Sequence, residues 1–309
     1  MRALALPFIL LNDVVFGFSL GLQNISAPMF SISIAFVLNV ISDVLFIKHF
    51  NLGLLGAGIA TSFSGILGSL VGMYTLQKKY KLLSSKHRFK LDMTKMKDFF
   101  RTSTIMFVGV MLNTLTYSSG ATISSFSKSK NTIDVAVYQI TMAAWWLLSY
   151  FSSPIGYIGQ ALLPKEIESD RVNTSKINNI ISICMKLSVA VAASTSCAML
   201  ILQLLLPGLF TNDLLVQQGF KDTIVPVILS LFFICITTVQ DGVFIGSGRV
   251  WNYVIAGLLS TSSAWFYFYF SIRHRFGVKG TWNGLLLFSV TRLLWYACTW
   301  PTLKKQENK

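Results

Sequence analysis

Three aspartates lie inside long apolar stretches, where a charged side chain is costly. They are Asp13, Asp43 and Asp241. Moving an ionised side chain from water into a hydrocarbon layer costs roughly 3 kcal/mol or more. Because burial favours the neutral acid, such a carboxyl group takes up a proton readily and releases it where water reaches it. These residues therefore predict reversible binding of a proton or a small cation.

Asn39 and Asp43 are four residues apart, which places them on one face of a helix. From that face the amide and the carboxylate can coordinate Na⁺ together or exchange a proton. The competing interpretation is structural. Asp43 lies near the end of its apolar stretch and near Lys48, so it can also be a solvated or salt-bridged residue. For Asp13 and Asp241 the alternative is that each accepts hydrogen bonds that only fix helix packing.

Polar and aromatic side chains within the apolar stretches are candidates for the wall of a solute cavity. We predict a cavity lined by Asn113, Tyr117, Tyr138, Gln139 and Gln240, with Trp145 as a further candidate. Aromatic faces bind organic cations, although most aromatic residues here are expected to pack between helices or to lie at the membrane interface. The sequence leaves the charge of the solute open.

Apolar residues gather into runs of about 20, the length at which a helix crosses a bilayer. They make up 53% of the 309 residues, and only 12% are charged. The runs are continuous and do not alternate, so they predict an all-α membrane protein. We predict about nine transmembrane helices, over 3–22, 28–47, 54–77, 99–122, 133–160, 177–206, 223–246, 252–272 and 281–301.

The net charge of +14 resides in the loops between these runs. The densest basic segment, 78–98, is expected to face the cytoplasm or its organellar equivalent, which puts Met1 outside and Lys309 inside. Anionic lipid explains such a loop better than nucleic acid does.

The four cysteines lack metal-ligand spacing, so we expect neither a metal site nor a cofactor. The GxSxG match at Gly17–Gly21 lies within one run and predicts no enzyme.

Two glycine patterns recur at a nearly constant separation. Gly17 and Gly21 are repeated as Gly242 and Gly246, an offset of 225, and Gly53-Leu-Leu-Gly56 is repeated as Gly277-Val-Lys-Gly280, an offset of 224. Spans one to three should therefore correspond to spans seven to nine in the same membrane orientation. The 225-residue offset makes Asp13 equivalent to Thr238, one turn from Asp241, so each half would present an acid.

Spans four to six have no counterpart in such a repeat. The expectation is a protein of twelve helices in two six-helix lobes, from which this chain lacks the first three. Residues 1–77 would then be the remnant of the first lobe (helices 4–6), 78–98 the basic interlobe loop, and 99–309 the second lobe (helices 7–12).

Short motifs in the expected order resemble the multidrug and toxic compound extrusion (MATE) family. In the first half they are Asn39–Asp43, the Gly53–Thr61 segment, and Pro7 with Gly17 and Gly21; in the second half they are Tyr138–Ile140, Gly159–Pro164, Pro207–Asp213, Asp241–Gly246, and Gly277–Trp282 with Arg292. Asp241–Gly246 is similar to the DinF-like branch, and Gln160–Pro164 looks like plant chloroplast-envelope members. One family feature is missing, a proline early in helix seven.

The resemblance implies an antiporter that exports organic solutes or xenobiotics in exchange for H⁺ or Na⁺ by alternating access. It implies a coupling role for Asn39 and Asp43, a small organic solute and membrane lipid as partners, and a monomer. The plastid envelope is one candidate membrane, and the plasma membrane or another organelle the alternative. Two other hypotheses stay open: a lipid-linked precursor flippase of the same superfamily, and a truncated, inactive copy.

Overall fold

The computed structural model describes residues 2–24, 26–80, 92–126, 131–167, 169, 173–205 and 207–306. It confirms the all-helical prediction. The helices are α1 (Arg2–Gly21), α2 (Ser26–Asp43), α3 (Gly53–Tyr80), α4 (Met93–Ser124), α5 (Asn131–Ser149), α6 (Ser153–Ile167), α7 (Thr174–Leu205), α8 (Leu214–Asp222), α9 (Ile224–Gly246), α10 (Val250–His274) and α11 (Gly277–Gln306). Shorter helical segments are the π-helix Val44–His49, which continues α2, and the 3₁₀ turns Tyr150–Ser152 and Pro207–Leu209.

The chain divides into two compact units, unit 1 (Met1–Asp92) and unit 2 (Met93–Lys309). Their boundary lies inside the predicted basic loop 78–98. The central part of that loop, 81–91, is outside the described residues, as are Lys128, Lys130, Arg171 and Lys309. The assignment of the two parts to lobes stays a prediction.

The described helices expose many large apolar side chains. By length and composition four of them can cross a membrane, and they are Ser26–His49, Gly53–Tyr80, Thr174–Leu205 and Ile224–Gly246. Leu54 is 95% exposed, Phe266 78% and Leu205 73%. Helices satisfy their own backbone hydrogen bonds, so apolar exposed faces of this kind are stable in lipid and costly in water.

The fifth span differs from the prediction. It was predicted as 133–160 and is divided into α5 and α6 by the 3₁₀ turn Tyr150–Ser152. An apolar run indicates burial but not a local change of helix type, so this break was not visible in the sequence. The seventh span, predicted as 223–246, agrees with α9; the short helix α8 precedes it and begins at an N-cap where Asp213 accepts a hydrogen bond from Leu215 N (2.9 Å). The total of nine membrane spans stays a prediction.

In unit 1, α3 packs along both α1 and α2. Small residues allow the close approach: a Cβ atom on Gly68 would lie 2.7 Å from Ala35 Cβ. The Ser31 hydroxyl of α2 lies 2.6 Å from both Asn12 Oδ1 of α1 and the Gly68 carbonyl oxygen of α3, and its single proton is shared between these two acceptors. A polar contact thus joins all three helices of the unit.

The turns after α1 and α9 have the same backbone hydrogen bonds. After α1 they run from Leu22 N to Phe18 O, Gln23 N to Leu20 O and Asn24 N to Ser19 O; after α9 they run from Ser247 N to Val243 O, Gly248 N to Ile245 O and Arg249 N to Phe244 O. Every donor and acceptor recurs after 225 residues (247 − 22, for example). The left-handed residue also recurs, as Gln23 (φ 54°) and Gly248 (φ 74°). This supports the predicted repeat.

The turn between α2 and α3 and its counterpart between α10 and α11 explain why the two offsets, 225 and 224, differ by one. Leu52 N donates to Phe46 O (3.0 Å), whereas Phe276 N donates to Ser271 O (3.1 Å). The acceptors are 225 residues apart (271 − 46) and the donors 224 (276 − 52), so the first turn holds one residue more. The π-helix Val44–His49 overlaps this segment, and a π turn accommodates more residues than an α turn.

Unit 2 is built around α9, which packs against α6, α7 and α11. The buried core of unit 2 includes Trp145, Trp282 and Phe288. Where α6 crosses α9, glycines bring the two backbones together: a Cβ atom on Gly246 would lie 2.6 Å from Gly159 O. This crossing fixes α9, which carries Asp241, against α6.

Candidate functional site

Asp241 of α9, which is half-buried, forms an ion pair with the buried Arg292 of α11. The Arg292 Nε atom donates to Asp241 Oδ1 at 3.1 Å, and its Nη2 atom lies 3.0 Å from the same oxygen. The Tyr296 hydroxyl also donates to Asp241 Oδ1. Arg292 and Tyr296 are four residues apart and share one face of α11. Two hydrogen-bond donors of α11 therefore converge on one carboxylate oxygen, with Nη2 within ion-pair distance of it.

The other side of the Arg292 guanidinium contacts α4, since its Nη1 atom donates to Asn113 Oδ1 at 3.1 Å. Two aromatic rings flank the group, with Cζ lying 5.2 Å from the Tyr253 ring centroid and 5.8 Å from that of Phe288. These cation–π contacts and hydrogen bonds fix the plane of the guanidinium.

The arginine of this pair is buried, whereas Asp241 is half-buried. Arg292 is 1% exposed. An unpaired charge there would cost several kcal/mol, and a paired one is tolerated only when its remaining donors and acceptors are satisfied. Tyr296 and Asn113 supply the additional hydrogen bonds. Together these residues form a charge cluster, which consists of Asp241, Arg292, Tyr296 and Asn113.

A cavity of about 500 Å³ adjoins the charge cluster, and its described lining residues all belong to unit 2. Asn113, Asp241 and Arg292 contribute the amide and the charges. The rest of the wall is aromatic, hydroxyl-bearing or apolar: Tyr117, Tyr138, Trp145, Trp146 and Tyr150; Thr114, Ser118, Ser149, Ser153 and Thr238; Val110, Ala121, Met142 and Ile234. A volume of this size is typical of a small-molecule site.

Hydrogen bonds and ring contacts hold the aromatic wall in place. Tyr138 donates to the Tyr117 carbonyl oxygen (2.7 Å), and Trp145 Nε1 donates to Ser230 Oγ (3.1 Å). The Tyr117 ring centroid lies 5.5 Å from that of Trp145 and 5.1 Å from that of Trp146. The rings therefore present fixed faces to a solute.

The structure brings together several of the residues predicted to line a cavity. Asn113, Tyr117 and Tyr138 are all in its wall. Gln139 is exposed on α5 and Gln240 is buried in α9, and neither lines this cavity. Adjacent residues of a helix point about 100° apart, so a helix that presents Tyr138 or Asp241 to the cavity directs Gln139 or Gln240 elsewhere.

Asp43 and Asn39 lie together on α2 of unit 1, both half-buried. Asn39 Nδ2 donates to Ser64 Oγ of α3 at 3.3 Å. Asp43 Oδ1 is buried and has no hydrogen-bond partner among the described residues. Buried polar atoms are satisfied almost everywhere in proteins, so this oxygen is a candidate ligand for a proton or cation.

Asp13 is exposed on α1. Its neighbour Asn12 makes the contact between helices, by accepting from Ser31 Oγ at 2.6 Å. The repeat makes Asp13 equivalent to Thr238, and Thr238 does line the unit 2 cavity. The structure thus separates the three predicted acids into one ion-paired, one half-buried and one exposed residue.

Sequence reasoning did not select Arg292 or Tyr296 for the site. Arg292 entered only through a motif, although an arginine within an apolar span already signals a buried partner. Tyr296 carried no such signal, because tyrosine is common in membrane helices. Only the packing of α11 against α9 shows that both residues contact Asp241.

Comparisons with known proteins agree with the helical architecture. No protein-family model matches the chain. Two relatives from Arabidopsis thaliana are Protein DETOXIFICATION 47, chloroplastic, 21% identical over 293 residues, and Protein DETOXIFICATION 45, chloroplastic, 21% identical over 307 residues. The matches include 93% and 97% of this chain but only 52% and 53% of those proteins. The chain spans about half the length of the curated relatives it matches.

Solved structures show the same fold. The eukaryotic MATE transporter AtDTX14 superimposes with a TM-score of 0.78 at 16% identity, over 91% of this chain and 63% of that one. The resemblance predicted from short motifs is thereby confirmed, and the relatives are transporters rather than enzymes. The chain is an integral, multi-pass membrane protein with the fold of the MATE transporters, and its sequence resembles the chloroplastic DETOXIFICATION proteins of plants.

Proposed function

We propose that this chain acts in a secondary transporter that exchanges an organic solute for H⁺ or Na⁺. The observation that carries the proposal is the cavity of about 500 Å³, with five aromatic residues and the Asp241–Arg292 ion pair in its wall. Such a cavity suits a solute with an aromatic ring, because ring faces stack on fixed aromatic walls. The fold shared with MATE transporters supports the same function.

We infer that the coupling ion binds at Asp43, with Asn39 beside it. Asp43 Oδ1, which has no hydrogen-bond partner among the described residues, and the nearby Asn39 amide supply oxygen atoms that can bind H⁺ or Na⁺. Asp241 is already held by Arg292 and Tyr296, and Asp13 is exposed. Their coupling roles stay predictions, with Asp43 the first to test.

The test is ion-driven flux in proteoliposomes that contain the chain. A membrane potential of 100 mV supplies about 2.3 kcal/mol per charge moved, enough to drive measurable accumulation. A fluorescent aromatic solute should be transported when a pH or Na⁺ gradient is imposed. Asp43→Asn should abolish the gradient-dependent flux, because the amide cannot take up a proton and binds cations poorly.

The matched control is Asp222→Asn, an identical change on the exposed end of α8. Its flux should equal that of the unmodified chain. Gradient-dependent flux that survives Asp43→Asn would remove Asp43 from the mechanism. No flux from the correctly inserted chain would instead favour an inactive copy.

The flippase alternative needs a cavity that binds an anionic lipid headgroup. Among the described residues that line the cavity, Arg292 is the one basic residue, and Asp241 pairs with it. The cavity therefore offers no excess of positive charge, and this alternative is not favoured.

A further inference from the structure

Three buried polar atoms of unit 2 lie beside a second, much smaller cavity between α5 and α7. They are Oγ1 of Thr141 on α5 and both Oε1 and Nε2 of Gln203 on α7. Thr141 is 2% exposed and Gln203 3%. None of the three atoms has a hydrogen-bond partner within the described residues. Because buried polar groups of native proteins are nearly always satisfied, these atoms indicate a bound polar ligand.

The size of the cavity selects the ligand. Thr141 and Gln203 both line it, and its volume is about 10 Å³. One buried water molecule needs roughly 10–15 Å³, whereas a hydrated cation or an organic solute needs far more. The remaining described wall is apolar and consists of Ile140, Ala144, Met199, Leu202, Phe210 and Phe220. Water is therefore the ligand that fits the space and the polar groups.

The polar atoms also match the hydrogen-bonding capacity of water. The oxygen and one N–H of a primary amide point in the same direction, so one water can donate to Oε1 and accept from Nε2 of Gln203. The Thr141 hydroxyl supplies a third partner, and about three hydrogen bonds are usual for a buried water. We propose that one water molecule is bound in this cavity by Gln203 and Thr141 and joins α7 to α5.

The water link reinforces a weak contact between helices. α7 packs far more extensively on α9 than on α5. α5 carries Tyr138 and Trp145, which line the large cavity beside the charge cluster. The bound water thus helps to hold the helix that supplies part of the aromatic wall.

Thr141→Val tests the water by the sign of its effect on thermal unfolding of the full chain in lipid nanodiscs. Valine keeps the shape of the side chain and removes the hydroxyl. With water bound, the change removes one of its partners, and the unfolding temperature should fall by about 2 °C or more. In a dry cavity the hydroxyl is an unsatisfied group whose removal is neutral or stabilising. A rise, or no change, therefore overturns the proposal.

Thr237→Val is the matched control. Thr237 is as buried as Thr141, but its hydroxyl donates to Ile234 O of its own helix at 3.1 Å. After the substitution Ile234 O still accepts from Thr238 Oγ1 (2.8 Å), so the unfolding temperature should fall clearly less than for Thr141→Val. Equal losses in the two variants would assign the effect to the threonine-to-valine change itself and contradict a bound water.

A double variant tests whether one water serves both side chains. Gln203→Met keeps the length of the side chain and removes the amide. If Thr141 and Gln203 share a ligand, either substitution already weakens its binding, so the combined loss should be smaller than the sum of the single losses. Strictly additive losses would contradict a shared water.

Radiolytic footprinting of the full chain in nanodiscs detects the water directly. X-ray pulses generate hydroxyl radicals from water, and a radical formed in the cavity hydroxylates the ring of Phe220 beside it. Phe220 (3% exposed) should be labelled several-fold faster than Phe268 (1% exposed), which lines neither cavity. In the Thr141→Val, Gln203→Met double variant its labelling should fall to the level of Phe268. Equal labelling of both rings in the unmodified chain, or Phe220 labelling that survives in the double variant, overturns the proposal.

Discussion

Gly246 of α9 lies against the backbone of Gly159 of α6 so closely that a Cβ atom on Gly246 would be 2.6 Å from the Gly159 carbonyl oxygen. The obstacle is backbone, which cannot rotate away. We therefore expect Gly246→Ala to lower the free energy of unfolding by about 1–3 kcal/mol, the usual cost of overpacking. An SDS unfolding titration of the purified chain measures this change.

The repeat provides a matched control for that substitution. Gly21 occupies the equivalent position in α1, and a Cβ atom there would meet no heavy atom within 4 Å. Gly21→Ala should be neutral or slightly stabilising, because alanine favours helix more than glycine does. Equal effects of Gly21→Ala and Gly246→Ala would show that the α6–α9 crossing does not require glycine.

The ion pair between Asp241 and Arg292 should make their substitutions strongly non-additive. Asp241→Ala alone leaves a buried arginine without its counter-charge and should cost about 3–5 kcal/mol of unfolding free energy. In the double variant Asp241→Ala with Arg292→Met no charge remains to be compensated, and the loss should be smaller than for Asp241→Ala alone. A double-mutant cycle by SDS titration gives the coupling, and additive losses would contradict a paired interior charge.

Turn residues with a left-handed backbone conformation offer a test of backbone strain. Gly248 has a φ of 74°, and a Cβ atom added there would meet no heavy atom within 4 Å, so Gly248→Ala should cost about 1 kcal/mol through its backbone alone. Arg275, at φ 55°, bears the same strain, and Arg275→Gly should gain stability of up to about 1 kcal/mol. Arg275→Ala is the control, because it removes the side chain and keeps the strain. A gain from Arg275→Ala equal to that from Arg275→Gly would assign the effect to the side chain.

The additional residue in the π-helix should be dispensable for folding. Deleting Lys48 gives the segment between Phe46 and Leu52 as many residues as its counterpart between Ser271 and Phe276. There Phe276 N donates to Ser271 O, five residues earlier, in the hydrogen bond typical of a helix C-cap. We expect the deletion variant to insert and fold with a small loss of thermal stability.

Deleting Val40 within α2 is the comparison for the Lys48 deletion. It rotates every preceding residue of α2 by about 100° relative to α3 and should break the contact of Asn39 with Ser64. Size-exclusion chromatography and thermal unfolding distinguish the two deletions. Equal disruption by both would show that the π-helix is not a local insertion.

The sequence by itself determined the class of fold, because 20-residue apolar runs have few stable arrangements in lipid. It also indicated the repeat, because the glycines needed at turns and at close helix contacts can be recognised in the sequence. Even the one-residue difference between the offsets 225 and 224 could be read there, although its cause, the π-helix Val44–His49, could not. A π turn needs no particular residue type and therefore leaves no pattern.

Sequence reasoning identified several residues of the site but not the contacts between them. Asp241, Asn113, Tyr117 and Tyr138 were selected by residue type alone, and they meet at one cavity. Which neighbour each one contacts depends on the rotation of α4, α9 and α11 about their axes, and apolar runs constrain that rotation weakly when both lipid and core are apolar.

Only the tertiary structure therefore paired Asp241 with Arg292, across 51 residues of chain. Sequence separation carries no information about that contact, whereas packing of α9 on α11 sets it directly. The presence of an acid inside the membrane followed from composition. Its partner followed from geometry, because a hydrogen bond requires a donor–acceptor distance of about 3 Å, which the final placement of the helices decides.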